Sequence, residues 1–279
     1  MFPDLRSARI GLSGDSNQKR KYSMNLSKTA LLLTGSLCAA ALGASTVASA
    51  GGKPDTTVVL VHGAFADGSS WDKVIPILQA KGLKVVAVQN PLTSLADDVT
   101  AAQRVIDAQT GNVILVGHSW GGTVITQAGT SDKVKALVYV AALVPDMGQS
   151  SADLGKDYPP TAGIQTVKAD ASGFLYLPAD SLAKNFAQDL PHAMTIVMAS
   201  TQGPIQSKAF SEPVTTTAWK NKKNYYIVAA NDRMIQPALE HAMAKKISAV
   251  TTVLQTSHVP MLSQPKQVAD VILKAASAL

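Results

Sequence analysis

The run Asn112-Val113-Ile114-Leu115-Val116 leads directly into Gly117-His118-Ser119-Trp120-Gly121-Gly122. A strand followed at once by Gly-x-Ser-x-Gly constrains the fold more than any other feature of the chain. The backbone must leave a buried strand, turn sharply and enter a helix, expected over about Gly122 to Ala128. Gly117 and Gly121 are small where a side chain would collide with that tight packing. Ser119 at the tip is expected in a strained conformation, its hydroxyl exposed at the sheet's edge. The following helix aims its first N–H groups and the positive end of its dipole at that hydroxyl. Gly-x-Ser-x-Gly also arises by chance; the strand before it and the helix after it make Ser119 a candidate nucleophile.

The rest of the chain repeats the same alternation. Thr57-Val58-Val59-Leu60-Val61 reads as a buried strand. Ser70 to Ala80 reads as a helix with Trp71, Val74, Ile75 and Leu78 on one face. Leu83 to Val88 predicts a strand and Asp97 to Gln109 a helix with acidic residues in its first turn. Strands over Val134 to Leu143, Tyr225 to Ala229 and Val250 to Leu254, then a helix over Pro265 to Ala276, complete the series. Continuous apolar strands separated by helices predict an α/β fold, with about six mostly parallel strands and helices on both faces. The segment of about 145–219 lacks this rhythm. It reads as an inserted, mostly helical cap over the carboxyl ends of the strands, where open α/β sheets bind ligands.

The first fifty residues read differently. Lys19-Arg20-Lys21 and Lys28 precede an apolar stretch from Ala30 to Ala44, which is followed by Ala48-Ser49-Ala50. That order is the pattern of a cleavable secretory leader, residues 1–50, with Met24 as a second start. The expected product is an exported protein, periplasmic or secreted, spanning 51–279 and without stable membrane insertion once the leader is removed. The chain carries 25 Lys and Arg against 19 Asp and Glu, a net charge of +6. Six of those basic residues and two of the acids fall in the leader, so the charge beyond it drops to +2. The basic balance therefore gives no support for a nucleic-acid partner. The single cysteine, Cys38, also lies in the leader. The remainder can form neither a disulfide nor a thiolate metal site, and no metal site is expected.

A serine hydroxyl needs a base, and the base needs a third group to orient it. Of five histidines, His258 follows a strand and precedes the last helix, in Gln255-Thr256-Ser257-His258-Val259-Pro260. A loop there can bring an imidazole over the sheet edge, so His258 is the expected base. His118 adjoins Ser119 but points another way, His62 belongs to the first-strand turn, and His192 and His241 fall in presumed helices. Asp232, after Tyr225-Tyr226-Ile227-Val228-Ala229-Ala230-Asn231, ends a strand at the same edge and is the expected acid. Asp146 is its competitor, and a helix N-cap is the alternative role for Asp232. Two N–H donors are needed for an oxyanion. Trp120, after the nucleophile, supplies one, and Ala64, in His62-Gly63-Ala64-Phe65, supplies the other. Both act through the main chain, which leaves the side chains of Phe65 and Trp120 to shape a pocket mouth.

These residues resemble the α/β-hydrolase superfamily, within it the branch of methyl esterases and hydroxynitrile lyases that includes plant salicylate-binding esterases. The likeness lies in Val61-His62-Gly63-Ala64, in Val116-Gly117-His118-Ser119-Trp120-Gly121-Gly122, in Ala141-Ala142-Leu143-Val144-Pro145-Asp146 and in Ser257-His258-Val259-Pro260-Met261-Leu262-Ser263-Gln264-Pro265. It covers nearly all of 56–279 and is weakest in the cap. It implies the α/β-hydrolase fold, Ser119, Asp232 and His258 as a triad, and Ala64 and Trp120 as oxyanion donors. The lyases of the branch carry a threonine after the first-strand histidine and a lysine after the catalytic one. Gly63 and Val259 stand there instead, which argues against lyase chemistry, and Ser119 argues against relatives with an aspartate nucleophile. The expected function is cofactor-free cleavage of small to medium hydrophobic carboxylic esters through an acyl-enzyme. Phe65, Trp120, Val259 and Met261 are expected around the substrate. Lactone hydrolysis, haloperoxidase-type perhydrolysis and a small-molecule receptor that retains the triad are the alternatives. The sequence leaves the oligomeric state open.

Overall fold

The computed structural model describes residues 55–279, so the expected leader at 1–50 lies outside the described residues. Six strands form one sheet: β1 (Thr56–Val61), β2 (Lys84–Val88), β3 (Asn112–His118), β4 (Val134–Val140), β8 (Lys223–Ala229) and β9 (Val250–Leu254). Their order is β2-β1-β3-β4-β8-β9, and every neighbouring pair is parallel. Val59, Leu115 and Leu137 lie side by side across the centre. Val58 to Val61 and Val113 to Val116 are fully buried, as unbroken apolar runs require when a sheet is covered on both sides. Each such side chain contributes about 1.5–3 kcal/mol.

The helices between strands are α1 (Ile75–Gln79), α2 (Leu95–Asp107), α3 (Trp120–Ala128), α7 (Pro237–Lys246), α8 (Pro260–Ser263) and α9 (Pro265–Ser277). α3 packs against β1, β3 and β4 and against α2, whereas α9 packs against β3, β4 and β8. The Ser94 hydroxyl accepts the Asp97 N–H at 3.0 Å and caps α2, which starts two residues before the expected Asp97. The helix expected over Ser70 to Ala80 is instead a 3₁₀ turn at Gly68–Trp71 followed by the five-residue α1. Pro76 is the reason: it lacks an N–H and fits only the first turn of a helix, so α1 begins beside it. Trp71, Val74 and Leu78 are nevertheless fully buried. β4 stops at Val140, short of Leu143, because Ala141 adopts φ +43° and turns the chain out of the sheet.

The excursion between β4 and β8 contains α4 (Ser151–Leu154), α5 (Ala179–Ser181) running into a π turn at Leu182–Phe186, and α6 (His192–Thr201). It also contains a three-stranded antiparallel sheet, β5 (Lys168–Ala169), β6 (Phe174–Tyr176) and β7 (Ile205–Gln206). The cap is thus mostly helical, as the sequence leads one to expect, with this small sheet as an addition the sequence did not signal. The Asp170 carboxylate accepts the N–H groups of Ser172 at 2.8 Å and Phe174 at 2.9 Å, which folds the β5–β6 turn. Strands of two and three residues are too short for a period of two to show in the sequence.

Candidate active site

The carboxyl ends of β1, β3, β8 and β9 open on one rim of the sheet, and each contributes a loop. Ser119 leaves β3 with φ +51° and ψ −119°, a conformation that costs an L-residue of order 1–3 kcal/mol. Surrounding bonds hold it there. Its N–H donates to Val140 O at 3.2 Å, and its carbonyl accepts from Gly122 N at 2.9 Å and Leu143 N at 3.0 Å. A Cβ on Gly117 would sit 2.5 Å from Gly121 O, and one on Gly121 would sit 2.5 Å from Val61 O. The tightness expected of this junction is therefore present. Ser119 is half-buried, while its neighbours His118 and Trp120 are fully enclosed.

His258 and Asp232 arrive from the other loops. The His258 Nδ1–H donates to Asp232 Oδ2 at 2.5 Å, and both side chains are enclosed. Asp232 Oδ1 accepts the N–H groups of Met234 at 2.6 Å and Ile235 at 3.0 Å. One carboxylate thus shapes its own turn and meets the imidazole, but it does not cap a helix: α7 begins at Pro237, with Gln236 at its N-cap. Nδ1 carries the proton in this arrangement, leaving Nε2 as the free ring nitrogen. Asp146 stands elsewhere, between Lys220 at 3.4 Å and Lys246 at 3.8 Å. It makes no bond to His258, and geometry separates the two acids that sequence left in competition.

The other site histidines have structural partners. His118 Nε2 contacts the His258 carbonyl at 2.8 Å, and its ring lies 4.8 Å from that of His258. The Asn90 N–H donates to His62 Nε2 at 3.0 Å, which puts the His62 proton on Nδ1, facing Gly63 O at 2.9 Å. Burial drives both His62 and His118 toward the neutral form, His118 the more strongly. His192 and His241 are exposed on α6 and α7.

The turn after β1 closes on the serine: a Cβ added to Gly63 would lie 2.8 Å from Ser119 Cβ. The Phe65 N–H is taken by Gly203 O at 3.2 Å, with Phe65 held at φ +58°. Trp120 opens α3, and the first N–H groups of a helix have no carbonyl within it to bond.

Phe65 also lines two cavities. The larger, about 530 Å³, is walled by Phe65, Met234, Ile235 and the cap residues Tyr158, Ile164, Leu175 and Phe210. The smaller, about 290 Å³, lies between Phe65, Leu262 and Met194 and Met198 of α6. The remaining side chains expected at the substrate do not line either cavity. Trp120, Val259 and Met261 are buried. The Trp120 indole instead donates to Asp98 Oδ2 at 2.7 Å and packs edge-on to Phe210, with centroids 5.1 Å apart. Sequence position alone does not say which way a side chain leaves a helix start, and here tertiary packing turns it inward. None of the cap residues that wall the larger cavity was expected at the substrate, because short irregular cap elements carry no period that marks an inward face. Among the described residues no cluster of His, Cys, Asp and Glu has the arrangement of a metal site.

A parallel six-stranded sheet with a strained serine at the end of its third strand defines a hydrolase of the α/β type. The chain matches the alpha/beta hydrolase family over residues 58–271 and belongs to that family. It is 26% identical to a pyrethroid hydrolase of Sphingobium wenxiniae, over 80% of this chain and 88% of that protein. It is 27% identical to methylesterase 3 of Arabidopsis thaliana, over 79% and 95% respectively. Among solved structures it resembles an extracellular α/β-hydrolase from a Paenibacillus species, described as homologous to tobacco salicylic acid binding protein 2. That likeness has TM-score 0.67 and 22% identity, over 79% of this chain and 98% of that one. The resemblance to methyl esterases and salicylate-binding esterases read from the motifs is thereby borne out.

Proposed function

We propose that the protein is a serine esterase that cleaves small to medium hydrophobic carboxylic esters through an acyl-enzyme. The observation that carries this reading is the enclosed His258–Asp232 pair, 2.5 Å apart, on the rim where Ser119 is held at φ +51°. Ser119 Oγ attacks the ester carbonyl while His258 Nε2 takes its proton. Asp232 keeps Nδ1 protonated and stabilises the imidazolium that forms. The N–H groups of Ala64 and Trp120 receive the developing oxyanion, a type of contact worth about 2.7–4 kcal/mol per donor in comparable sites. His258 then returns the proton to the departing alcohol, and water, activated by the same imidazole, releases the acid. No cofactor enters any of these steps. The apolar cavity beside Phe65 favours a hydrophobic acyl or aryl group, and the pyrethroid hydrolase and methylesterase relatives point to ester cleavage.

A fluorophosphonate probe is expected to label Ser119 and nothing else in the chain. Ser119→Ala should abolish both labelling and burst hydrolysis of p-nitrophenyl acetate. Asp232→Asn should lower kcat on the order of 10⁴-fold, the loss seen when the orienting acid of a serine triad on an unrelated fold is neutralised, whereas Asp146→Asn should change it little. Turnover that survives Ser119→Ala, or tight ligand binding without turnover, would reject the esterase in favour of a receptor.

A further inference from the structure

Behind the Asp232–His258 pair lies a second carboxyl that the proposed mechanism does not use. Glu240, on α7, is fully buried. Its Oε2 accepts the Ala229 N–H from β8 at 3.0 Å. Its Oε1 receives no N–H or O–H from any other group among the described residues, and Asp232 bonds the same strand residue, its N–H donating to Ala229 O at 3.1 Å, so both acids gather at the end of β8. Two carboxylates facing each other offer only acceptors, and a charged pair in such an enclosure is strongly unfavourable. One of the two must carry a proton. Asp232 Oδ1 receives two backbone N–H groups and Oδ2 the imidazole, whereas Glu240 receives one backbone N–H. Donors stabilise the ionised form, so the anion belongs on Asp232 and the proton on Glu240.

We infer that Glu240 is a positioning residue whose carboxyl is protonated at neutral pH and donates to Asp232, extending the dyad into a buried chain Glu240–Asp232–His258. The direction of its ionisation agrees: burial first, and the neighbouring Asp232 charge second, hold it well above the usual carboxylate range. The other titratable group facing it is Tyr226 of β8. The Tyr226 hydroxyl donates to Ala142 O at 2.6 Å and accepts the Ala142 N–H at 3.1 Å, and burial keeps it neutral. The consequence for the site is electrostatic. A donor on Asp232 disperses part of its charge, which weakens the stabilisation that the carboxylate gives the imidazolium formed when His258 takes the serine proton. This role rests on the assignment of Ser119, Asp232 and His258 above; the proton on Glu240 does not.

Two substitutions and one spectrum test it. In Glu240→Gln the amide N–H can still donate to Asp232 and the amide oxygen can still accept from Ala229. This variant should keep kcat within about threefold and the acid limb of kcat/KM within about 0.3 pH unit of the parent enzyme. Glu240→Met, similar in length but without a donor, should move that limb upward by about half a unit or more and lower kcat with KM little changed. An acid limb that falls by half a unit or more in Glu240→Gln would mean that a negative charge had been removed, and would overturn the inference. Infrared difference spectra at pH 8, parent minus Glu240→Gln, decide the proton without reference to catalysis or to the fold of the Met variant. Loss of a protonated carboxylic-acid C=O stretch is the expected result; loss of an ionised carboxylate stretch refutes it. Should Ser119 escape fluorophosphonate labelling, the esterase reading fails while the spectrum still settles whether Glu240 holds its proton.

Discussion

Ser119 carries backbone strain at the point where the chain leaves β3 for α3. At φ +51° only glycine rests comfortably, and the position is kept by bonds to Val140, Gly122 and Leu143. Strain of this kind is removable at the expense of the chemistry it serves. Ser119→Gly should therefore raise stability by on the order of 1 kcal/mol, net of glycine's added entropy in the unfolded chain, while eliminating turnover. Denaturant unfolding of the two proteins, with an unchanged slope, measures the gain; equal or lower stability would mean that the elbow is not strained. Glycine or alanine in place of Ser119 should thus differ in stability yet be alike in inactivity.

At the scale of elements, the helix that follows Ser119 is tied to its neighbour by one buried carboxylate. Asp98 of α2 accepts the Trp120 indole N–H at 2.7 Å through Oδ2 and the Leu92 N–H at 2.7 Å through Oδ1. Trp120 is the first residue of α3, so this bond sets where α3 begins relative to α2 and, one residue back, where Ser119 stands. Burial pushes the Asp98 carboxyl up to about 6, against the opposing pull of the Trp120 and Leu92 donors. Tryptophan fluorescence should accordingly show a transition with its midpoint near pH 6. Asp98→Asn should abolish that transition. An amide has one acceptor oxygen for two buried donors, so one N–H is left unpaired at about 1–3 kcal/mol. A pH-independent emission in the parent protein would argue that Asp98 stays ionised throughout.

Across the whole molecule, buried titratable groups pull stability in opposite directions as pH falls. His62 and His118 are held below the ordinary 6.5 by burial. The unfolded chain then takes up protons that the folded one refuses, and their contribution is lost progressively as pH drops below about 6.5. Asp98 acts in reverse. Its folded value of about 6 lies above the ordinary 3.8, so between those values the folded state binds the proton and gains stability as pH falls. From pH 8 to pH 5 this offset amounts to about 1 kcal/mol. Asp98→Asn lacks it, so its unfolding free energy should fall more steeply over that interval than the parent's, by about that amount. Parallel curves for the two proteins would remove Asp98 from the acid response.

The linear order of residues determined the sheet. Runs such as Val58 to Val61 and Val113 to Val116 are apolar at every position, and only a strand covered on both faces buries such a run. Local chemistry likewise determined the elbow, because Gly117 and Gly121 stand where backbone meets backbone. It also placed Ser119, Asp232 and His258 at strand ends that parallel topology gathers on one rim. Tertiary structure decided whatever depends on direction rather than position. The strand before Asp232 favoured it over Asp146, but only packing shows which carboxyl meets His258; the lysines that claim Asp146 come from 74 and 100 residues further along. Trp120 turns toward Asp98, and the cap forms a small sheet, because of partners distant in sequence. Glu240 looks like an ordinary acid in a helix's first turn until α7 folds onto β8 and buries it beside Asp232. Backbone period and turn chemistry are local and can be read along the chain, whereas the partner of a buried charge is chosen only when distant segments pack.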